Sequence, residues 1–399
     1  MKPVRSWVEV DKQALKHNLS VFCKVIAPST GSGQKPLLLA VVKSNAYGHG
    51  MVECAKVFEE QSRLRQGSGE PGWLGVDDID EALALRAAGL KLPILVLGYA
   101  LPARYKEAAK HNLSLTIASI EALKHLLTIS AKGGPALGWH LKLETGLNRQ
   151  GISEAEFPEL LNILTFLRVS ECRMEGVYSH FAAAELATES KYKKYCELQM
   201  DNFERMLLQI QDSGFRPLAH MADTAAAVWL PRSRYDLVRI GIGLYGLDPT
   251  SDVKPPIVKR LKLKPALSWY AIIAQVKKVK KGEPVGYNLT ERVRQDSQIA
   301  IVPVGYWHGY PRALSGSGDH VARERRGSVL VHGKKCKVVG RVCMDMMMID
   351  ATNVLGVKQG DVVTLIGPEL SAEEVASKAG TINYELVTRI NPDLSRMYK

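Results

Sequence analysis

Between Leu37 and Ile240 the chain repeats one pattern eight times: a short apolar run, then a helical pattern or a loop and a helical pattern. The runs are Leu37–Lys43, Trp73–Val76, Pro93–Gly98, Leu113–Ala118, Gly138–Leu143, Arg173–Ser179, Pro217–His220 and Leu237–Ile240. Helix signals lie between them. Asp78 and Glu81 have capping-box spacing, Ala82, Leu83 and Leu85 follow, and Gly89 supplies a stop. Ser153 with Glu156 opens another helix carrying Leu160, Leu161 and Leu164, and Ser190–Gly214 is strongly helical up to its glycine. Eight strands each followed by a helix predict an α/β fold of the TIM type, a (β/α)8 barrel over residues 1–258.

Beyond residue 258 the rhythm changes. Ala266–Lys278, Gln298–Val304, Gly327–Val331, Lys335–Val339, Met346–Ile349 and Asp361–Ile366 read as strands, with a turn at His332, Gly333 and Lys334. Ser371 and Glu374 suggest one more capping box, and Asn383–Ile390 a last helical piece. The expected second domain is mostly β and covers residues 259–399, with the first ten or so residues as a candidate addition. No repeat or low-complexity linker separates the two, so they are expected to pack closely.

A chain of 399 residues, 46% hydrophobic and 24% charged, is that of an ordinary globular protein. Met1 to Val10 lacks the apolar core of a signal peptide, and no run approaches the roughly 18 apolar residues of a membrane span. Six cysteines without a CxxC pair read as reduced thiols, so a cytoplasmic location is expected, with no metal and no membrane partner. The formal charge of +12 raises the question of nucleic acid. Its densest basic stretch, Lys259 to Lys281, interleaves lysine with valine as a strand with one solvated face would, and no nucleic-acid motif accompanies it. A general pull on anionic small molecules is the better inference, and no nucleic-acid partner is expected.

A barrel's active site lies at the C-terminal ends of its strands, so the polar residues there can be read off directly. The first strand ends at Lys43, with Tyr47 just beyond; Arg149 follows the fifth and His180 ends the sixth. Asp223 and Thr224 follow the seventh, and Arg239 then Gly241, Ile242 and Gly243 end the eighth. A lysine finishing an apolar strand is expected in surroundings that disfavour its ammonium form, as an imine-forming amine needs. The plainer alternative is a lysine snorkelling from the barrel mouth. The glycines near the last strands fit the usual barrel phosphate site, and a lysine beside a phosphate cradle suggests pyridoxal phosphate.

At this point a resemblance emerges. The run Ala40 to Gly50 closely resembles the cofactor-lysine signature of the alanine racemases. Further stretches resemble that family in its own order: His140 to Gly146, Ser179 to Ala182, Arg239 to Gly246, Leu263 to Ser268, Pro303 to Tyr306, Gly340 to Asp345 and Thr381 to Glu385. The resemblance covers essentially the whole chain. It implies an isomerase that interconverts L- and D-alanine with pyridoxal 5'-phosphate and supplies D-alanine to a bacterial cell wall. It also implies a homodimer with shared active sites.

The resemblance further implies roles. Lys43 would hold the cofactor through an imine and act as acid/base on one face of the substrate Cα. Tyr287, in Pro284 to Tyr287, resembles the second base on the other face, although by itself it reads as a surface strand tyrosine. A free tyrosine titrates near ~10, so this role needs cationic neighbours, for which His180 and Arg239 are the candidates. Arg239 would face the pyridine nitrogen, and a guanidinium cannot give up its proton there. Tyr47, Thr224, Gly241, Ile242 and Tyr384 resemble the phosphate ligands. Arg149 resembles the arginine near the substrate carboxylate, and Lys142 stands where many members carry a carbamylated lysine. Tyr306 and Met344 resemble residues that enter the site from a partner subunit.

Several positions depart from the family pattern. Glu144 replaces an aspartate, Leu147 a methionine and Asn148 a glycine, all close to Arg149. Asp223-Thr224 replaces a commoner Asn-Ser, and an acid beside a phosphate is unfavourable unless it points away or pairs. Trp307-His308 replaces a small-acidic pair at the entrance, which bears on substrate range. A serine or broad-specificity racemase is therefore an alternative. A pyridoxal-phosphate decarboxylase of the same architecture is a weaker one, because it would place an acid where Arg239 stands.

Overall fold

The computed structural model describes residues 4–27, 35–64, 71–131, 137–166, 173–250, 256–316 and 326–399. After a first strand, β1 (Ser6–Val10), come eight parallel strands: β2 (Leu37–Val41), β3 (Pro71–Val76), β4 (Ile94–Val96), β5 (Ser114–Ile117), β6 (Gly138–Lys142), β7 (Arg173–Tyr178), β8 (Leu218–His220) and β9 (Leu237–Ile240). Each of the eight expected strands is present within a few residues of its expected ends. They pair in the order β8-β7-β6-β5-β4-β3-β2-β9. The two outer strands come back together, where the N–H of Asp236 donates to Ala219 C=O at 2.9 Å and that of Arg239 to Ala222 C=O at 3.0 Å. The sheet is a nearly closed (β/α)8 barrel.

Alternation along β2 shows why the strands read as continuous apolar runs. Leu38 and Ala40 pack outward with the helices, whereas Leu39 and Val41 point inward with Trp73, Leu95 and Leu237. Both faces are dry, as parallel sheets require. The inner apolar plug fills the barrel low down and leaves its mouth to polar side chains.

The helix Ile79–Ala87 starts as expected at Asp78, whose carboxylate accepts the N–H of Glu81 at 2.8 Å. The reciprocal half of the capping box is missing, because the Glu81 carboxylate turns away to the N–H groups of Ser44 and Asp77. Ser153 and Glu156 do bond to each other, one turn before the helix Phe157–Phe166, and the long helix runs from Ser190 to Asp212.

The second sheet adds β10 (Leu267–Ile272), β11 (Gln275–Val279), β12 (Ser297–Val302), β13 (Ser328–Val331), β14 (Lys334–Val339), β15 (Met347–Asp350), β16 (Val362–Ile366) and β17 (Ser395–Tyr398). Its order is β11-β12-β15-β14-β13-β16-β10-β1-β17. The single strand expected over Ala266–Lys278 is therefore two. Six strand spacings of about 4.8 Å would put them about 29 Å apart in a flat sheet. The link from Ile272 to Gln275 spans only three Cα steps of about 3.8 Å, so the sheet must curl back on itself. β11 lies at an edge with Lys277 and Lys278 exposed, a placement that discourages further strand pairing. β17 carried no signal in the sequence, since Ser395, Arg396 and Met397 do not alternate clearly.

β17 and the helix Asn383–Thr388 bring the second domain against the start of the first. The Arg396 guanidinium donates to Gly48 C=O at 2.8 Å, and Tyr398 Oη to His49 C=O at 3.2 Å. At Gly48, φ is +82° and a Cβ would come within 2.0 Å of the Val387 carbonyl, so glycine is required there. Among the described residues no helix is long and apolar enough to cross a membrane. Cys54, Cys196 and Cys336 are buried and not in disulfides, while Cys172 lies outside the described residues.

Candidate active site

A cavity of about 520 Å³ opens at the C-terminal ends of the barrel strands. Lys43, Tyr47, Lys142, Arg149, His180, Thr224, Arg239, Gly241, Ile242 and Tyr384 all line it, as do Asp77, Glu185 and Asp223. Ten residues expected from the sequence to belong to one site are thus brought together.

Lys43 follows β2 after one residue and begins a turn of unusual hand. Ser44, Asn45, Ala46 and Tyr47 have φ of 54°, 55°, 53° and 52°. Four successive L-residues in this region cost about 1–2 kcal/mol each, so the turn must be held from outside. The Lys43 amine is 3.0 Å from Asp77 Oδ1 with the side chain 37% exposed. This corrects the expected apolar surroundings: the apolar strand stops at Val41, and the amine meets a carboxylate.

Arg239 points into the barrel from β9 and is buried. Nη2 donates to Ser179 C=O at 2.8 Å and Met221 C=O at 2.9 Å, and Nη1 lies 2.8 Å from His220 Nδ1. His220 stacks on Tyr178 and contacts His140, Nε2 to Nδ1, at 2.8 Å. His180 lies 3.4 Å from Arg239 Nη2. Burial first, then the charges of Arg239, Arg149, Lys142 and Lys43, holds His180 well below the usual histidine range. That favours the neutral form of His180, with the positive charge beside it on Arg239.

Lys142 is buried against Tyr178, with Nζ 5.5 Å from the ring centre and 3.1 Å from Gln150 Oε1. Burial, with Arg149 and Arg239 adding to it, pushes this amine down to about 8. The departures near Arg149 serve its loop. Glu144 accepts N–H bonds from Gly146 at 2.6 Å, Leu147 at 2.7 Å and Arg149 at 3.2 Å. Asn148, with φ of 56°, takes the left-handed position that asparagine tolerates better than most residues.

At the opposite end of the cavity Gly241 N–H donates to Thr224 Oγ1 at 3.2 Å, and the Tyr47 and Tyr384 rings meet edge-on at 5.9 Å. A Cβ on Gly241 would come 2.5 Å from Tyr47 Oη, so the close approach needs glycine. Burial pushes both tyrosine hydroxyls upward, which keeps them as neutral donors. Asp223 turns its Oδ1 to Ala225 N–H at 3.0 Å and Ala226 N–H at 2.9 Å, capping the helix Thr224–Trp229. Burial raises Asp223, and burial together with Asp223 raises Glu185 to about 7. Glu185 went unseen in the sequence because nothing about an isolated acid after His180 marks it. Asp77 carries no signal in the sequence, and Glu81 reads there only as part of a helix start.

Tyr287, Tyr306 and Met344 do not line this cavity. They sit on the second domain, 67%, 43% and 54% exposed. Bonds from Tyr306 N–H to Cys343 C=O and from Trp307 N–H to Met344 C=O, both 3.0 Å, hold Tyr306, Trp307 and Met344 together. Among the described residues no cluster of metal-ligating side chains occurs.

Comparison with known proteins decides the lineage. Residues 10–249 match the family model described as alanine racemase, N-terminal domain, and residues 266–398 the one described as alanine racemase, C-terminal domain. The chain belongs to the alanine racemase family. A curated alanine racemase of Desulforamulus reducens is 38% identical over 394 residues, covering 98% of each chain. Alanine racemase 1 of Bacillus subtilis is 35% identical over 98% of this family member and 92% of its own length. Among solved structures, the alanine racemase of Streptomyces lavendulae superposes with a TM-score of 0.88 at 33% identity, covering 100% of this chain and 98% of that one. That of Bacillus anthracis, solved with L-Ala-P bound, gives 0.86 at 35% identity, covering 100% and 96%.

Proposed function

We propose that this family member interconverts L- and D-alanine with pyridoxal 5'-phosphate, using Lys43 and Tyr287 as the two proton carriers. One observation carries the reading: an amine, a guanidinium and a cradle of neutral donors converge on one cavity, in a chain that shares its full length with alanine racemases. The donor set fits that cofactor. Tyr47, Thr224, Gly241, Ile242 and Tyr384 offer hydroxyl and N–H groups to a phosphate, Arg239 suits a ring nitrogen, and Lys43 suits an aldehyde.

When bound, the cofactor would draw electrons from the substrate Cα and so acidify its proton. Lys43 Nζ takes or returns that proton on one face. A single base would tend to put it back where it came from, so the opposite face needs its own carrier, Tyr287 Oη. His180, neutral, offers Tyr287 a hydrogen bond, and Arg239 holds the ring nitrogen without transferring a proton to it. Arg149 binds the substrate carboxylate and Lys142, once carbamylated, steadies Arg149. The exposure of Tyr287, Tyr306 and Met344 supports a homodimer in which a second copy supplies them to each site. Met344 N–H then approaches the substrate carboxylate, and Tyr306 narrows the entrance. The relatives' names support alanine over serine as substrate, and Arg239 speaks against decarboxylation.

The test is incubation of the purified, pyridoxal-phosphate-loaded protein with L-alanine or L-serine, followed by chiral chromatography. D-alanine should form much faster than D-serine, and Lys43→Ala should abolish both the covalent cofactor link and nearly all turnover. Undiminished racemisation by Lys43→Ala would sink the mechanism.

A further inference from the structure

The left-handed turn after Lys43 is held at its far end by several groups. Asn45 accepts Met51 N–H at 3.0 Å through its side chain and Gly50 N–H at 2.9 Å through its carbonyl, and Arg396 holds Gly48. At its near end, next to the amine, Ala46 N–H donates to Val42 C=O at 2.8 Å, and the side chain that holds the remaining N–H groups is the carboxylate of Glu81. Glu81 Oε1 accepts the N–H of Ser44 at 2.6 Å and that of Asn45 at 3.4 Å, while Oε2 accepts Asp77 N–H at 2.8 Å. One oxygen therefore fixes the backbone that carries Lys43, and the other fixes the residue whose side chain pairs with the Lys43 amine at 3.0 Å. The backbone of Glu81 is anchored by the bond from its N–H to Asp78 Oδ1 at 2.8 Å. It does not line the cavity, so it cannot touch substrate or cofactor there.

We propose that Glu81 is a positioning residue for Lys43: it keeps the turn left-handed and so aims the amine into the barrel mouth. The proposal rests on the reading of Lys43 as the cofactor-holding base. Without the carboxylate, Ser44 and Asn45 lose their acceptor, and the strain of four left-handed residues favours relaxation. A flexible lysine on a relaxed turn reaches its working geometry in only a fraction of molecules, which lowers the chemical step more than substrate binding.

Glu81→Ala and Glu81→Gln test this in the full chain. Amide hydrogen exchange, read residue by residue on protein freed of pyridoxal phosphate, should accelerate about tenfold or more at Ser44 and Asn45 in Glu81→Ala. The barrel strands should keep their protection. At saturating pyridoxal phosphate, kcat for alanine should fall about tenfold or more, with KM within about threefold. Glu81→Gln keeps an oxygen for Ser44 but turns an NH2 toward Asp77 N–H, so it should recover part of both losses and covers the case in which Glu81→Ala does not fold. Unchanged exchange at Ser44 and Asn45, unchanged kcat, or protection lost evenly across the barrel would overturn the proposal. Lys43→Ala run alongside separates the two claims: its full activity would remove the reading of Lys43, whereas exchange at Ser44 reports on Glu81 alone.

Discussion

Nη1 of Arg239 lies 2.8 Å from Nδ1 of His220, and that contact decides where two histidine protons sit. An arginine has no lone pair to offer, so His220 Nδ1 must be the acceptor and its proton must be on Nε2. Nε2 then donates to His140 Nδ1, which leaves the His140 proton on its own Nε2. That last N–H finds no hydrogen-bond partner among the described residues and lies beside Trp73, whose ring stands edge-on at 5.0 Å. A neutral pair of rings thus backs the guanidinium at the floor of the site.

The first prediction concerns acid stability. Burial, with Arg239 adding to it, lowers His140 from 6.5 to about 3 in the folded chain. Between those values the unfolded chain binds the proton and the folded one does not, so stability is fully present above about 6.5 and falls as pH drops toward 3. His140→Phe should flatten that slope in urea melts at a series of pH values. At pH 7 it should also cost about 1–3 kcal/mol by leaving His220 Nε2–H unpaired. Nitrogen NMR that finds either ring protonated at pH 6 would refute the assignment.

The second concerns Lys142. An amine pushed down to about 8 is half neutral at that pH, and a neutral amine adds carbon dioxide to give a carbamate and one proton. Labelled bicarbonate should give a carbamate resonance that Lys142→Arg removes. Competitive acylation of the bicarbonate-free protein, read by mass spectrometry, should show Lys142 titrating with a midpoint near 8. A midpoint at the ordinary lysine value, 10.5, would show that its burial against Tyr178 and Arg149 does not act as described.

The third concerns the acids beside the proposed phosphate cradle. Asp223 already spends its carboxylate on the helix Thr224–Trp229, and Glu185, raised to about 7, ionises as pH climbs through neutrality. More negative charge there opposes a phosphate, so pyridoxal-phosphate affinity should weaken from pH 6 to 8, and Glu185→Gln should lose that dependence. Asp223→Asn keeps the helix cap and removes the charge; it should tighten binding a few-fold, to about tenfold. Equilibrium dialysis that finds Asp223→Asn binding more weakly would show the acid to be an asset.

The sequence exposed the barrel because strands such as Leu37–Val41 and Ile94–Val96 are buried on both faces and read as apolar runs at a regular spacing. It exposed Lys43, Arg239 and Gly241 because strand ends mark the mouth of a barrel. It could not expose Glu81 or Glu185, whose meaning depends on what lies across the fold: Ser44 from another turn, Asp223 from the cap of another helix. The left-handed turn was equally hidden. Ser, Asn, Ala and Tyr have no common preference for that hand, and the bonds to Glu81 and Arg396, with those of Asn45 to Gly50 and Met51, explain it. The split of Ala266–Lys278 is not legible in the sequence, because sheet curl leaves no mark on hydrophobic periodicity.

The last prediction joins the two domains. Lys43 lines the barrel cavity and Tyr287 stands exposed on the second domain, so a shared site needs two chains. A two-fold dimer would use the same pair of surfaces twice and build two such sites. Lys43→Ala and Tyr287→Phe should each be nearly inactive alone. Co-refolded, they form mixed dimers in which one site carries both lesions and the other carries neither. With random assortment half the dimers are mixed and half of their sites are intact, so roughly a quarter of wild-type activity should return. If both residues of a site belonged to one chain, every site in the mixture would keep one lesion. Activity that stays at the level of the two parents, with mixed dimers confirmed by native mass spectrometry, would rule the shared site out.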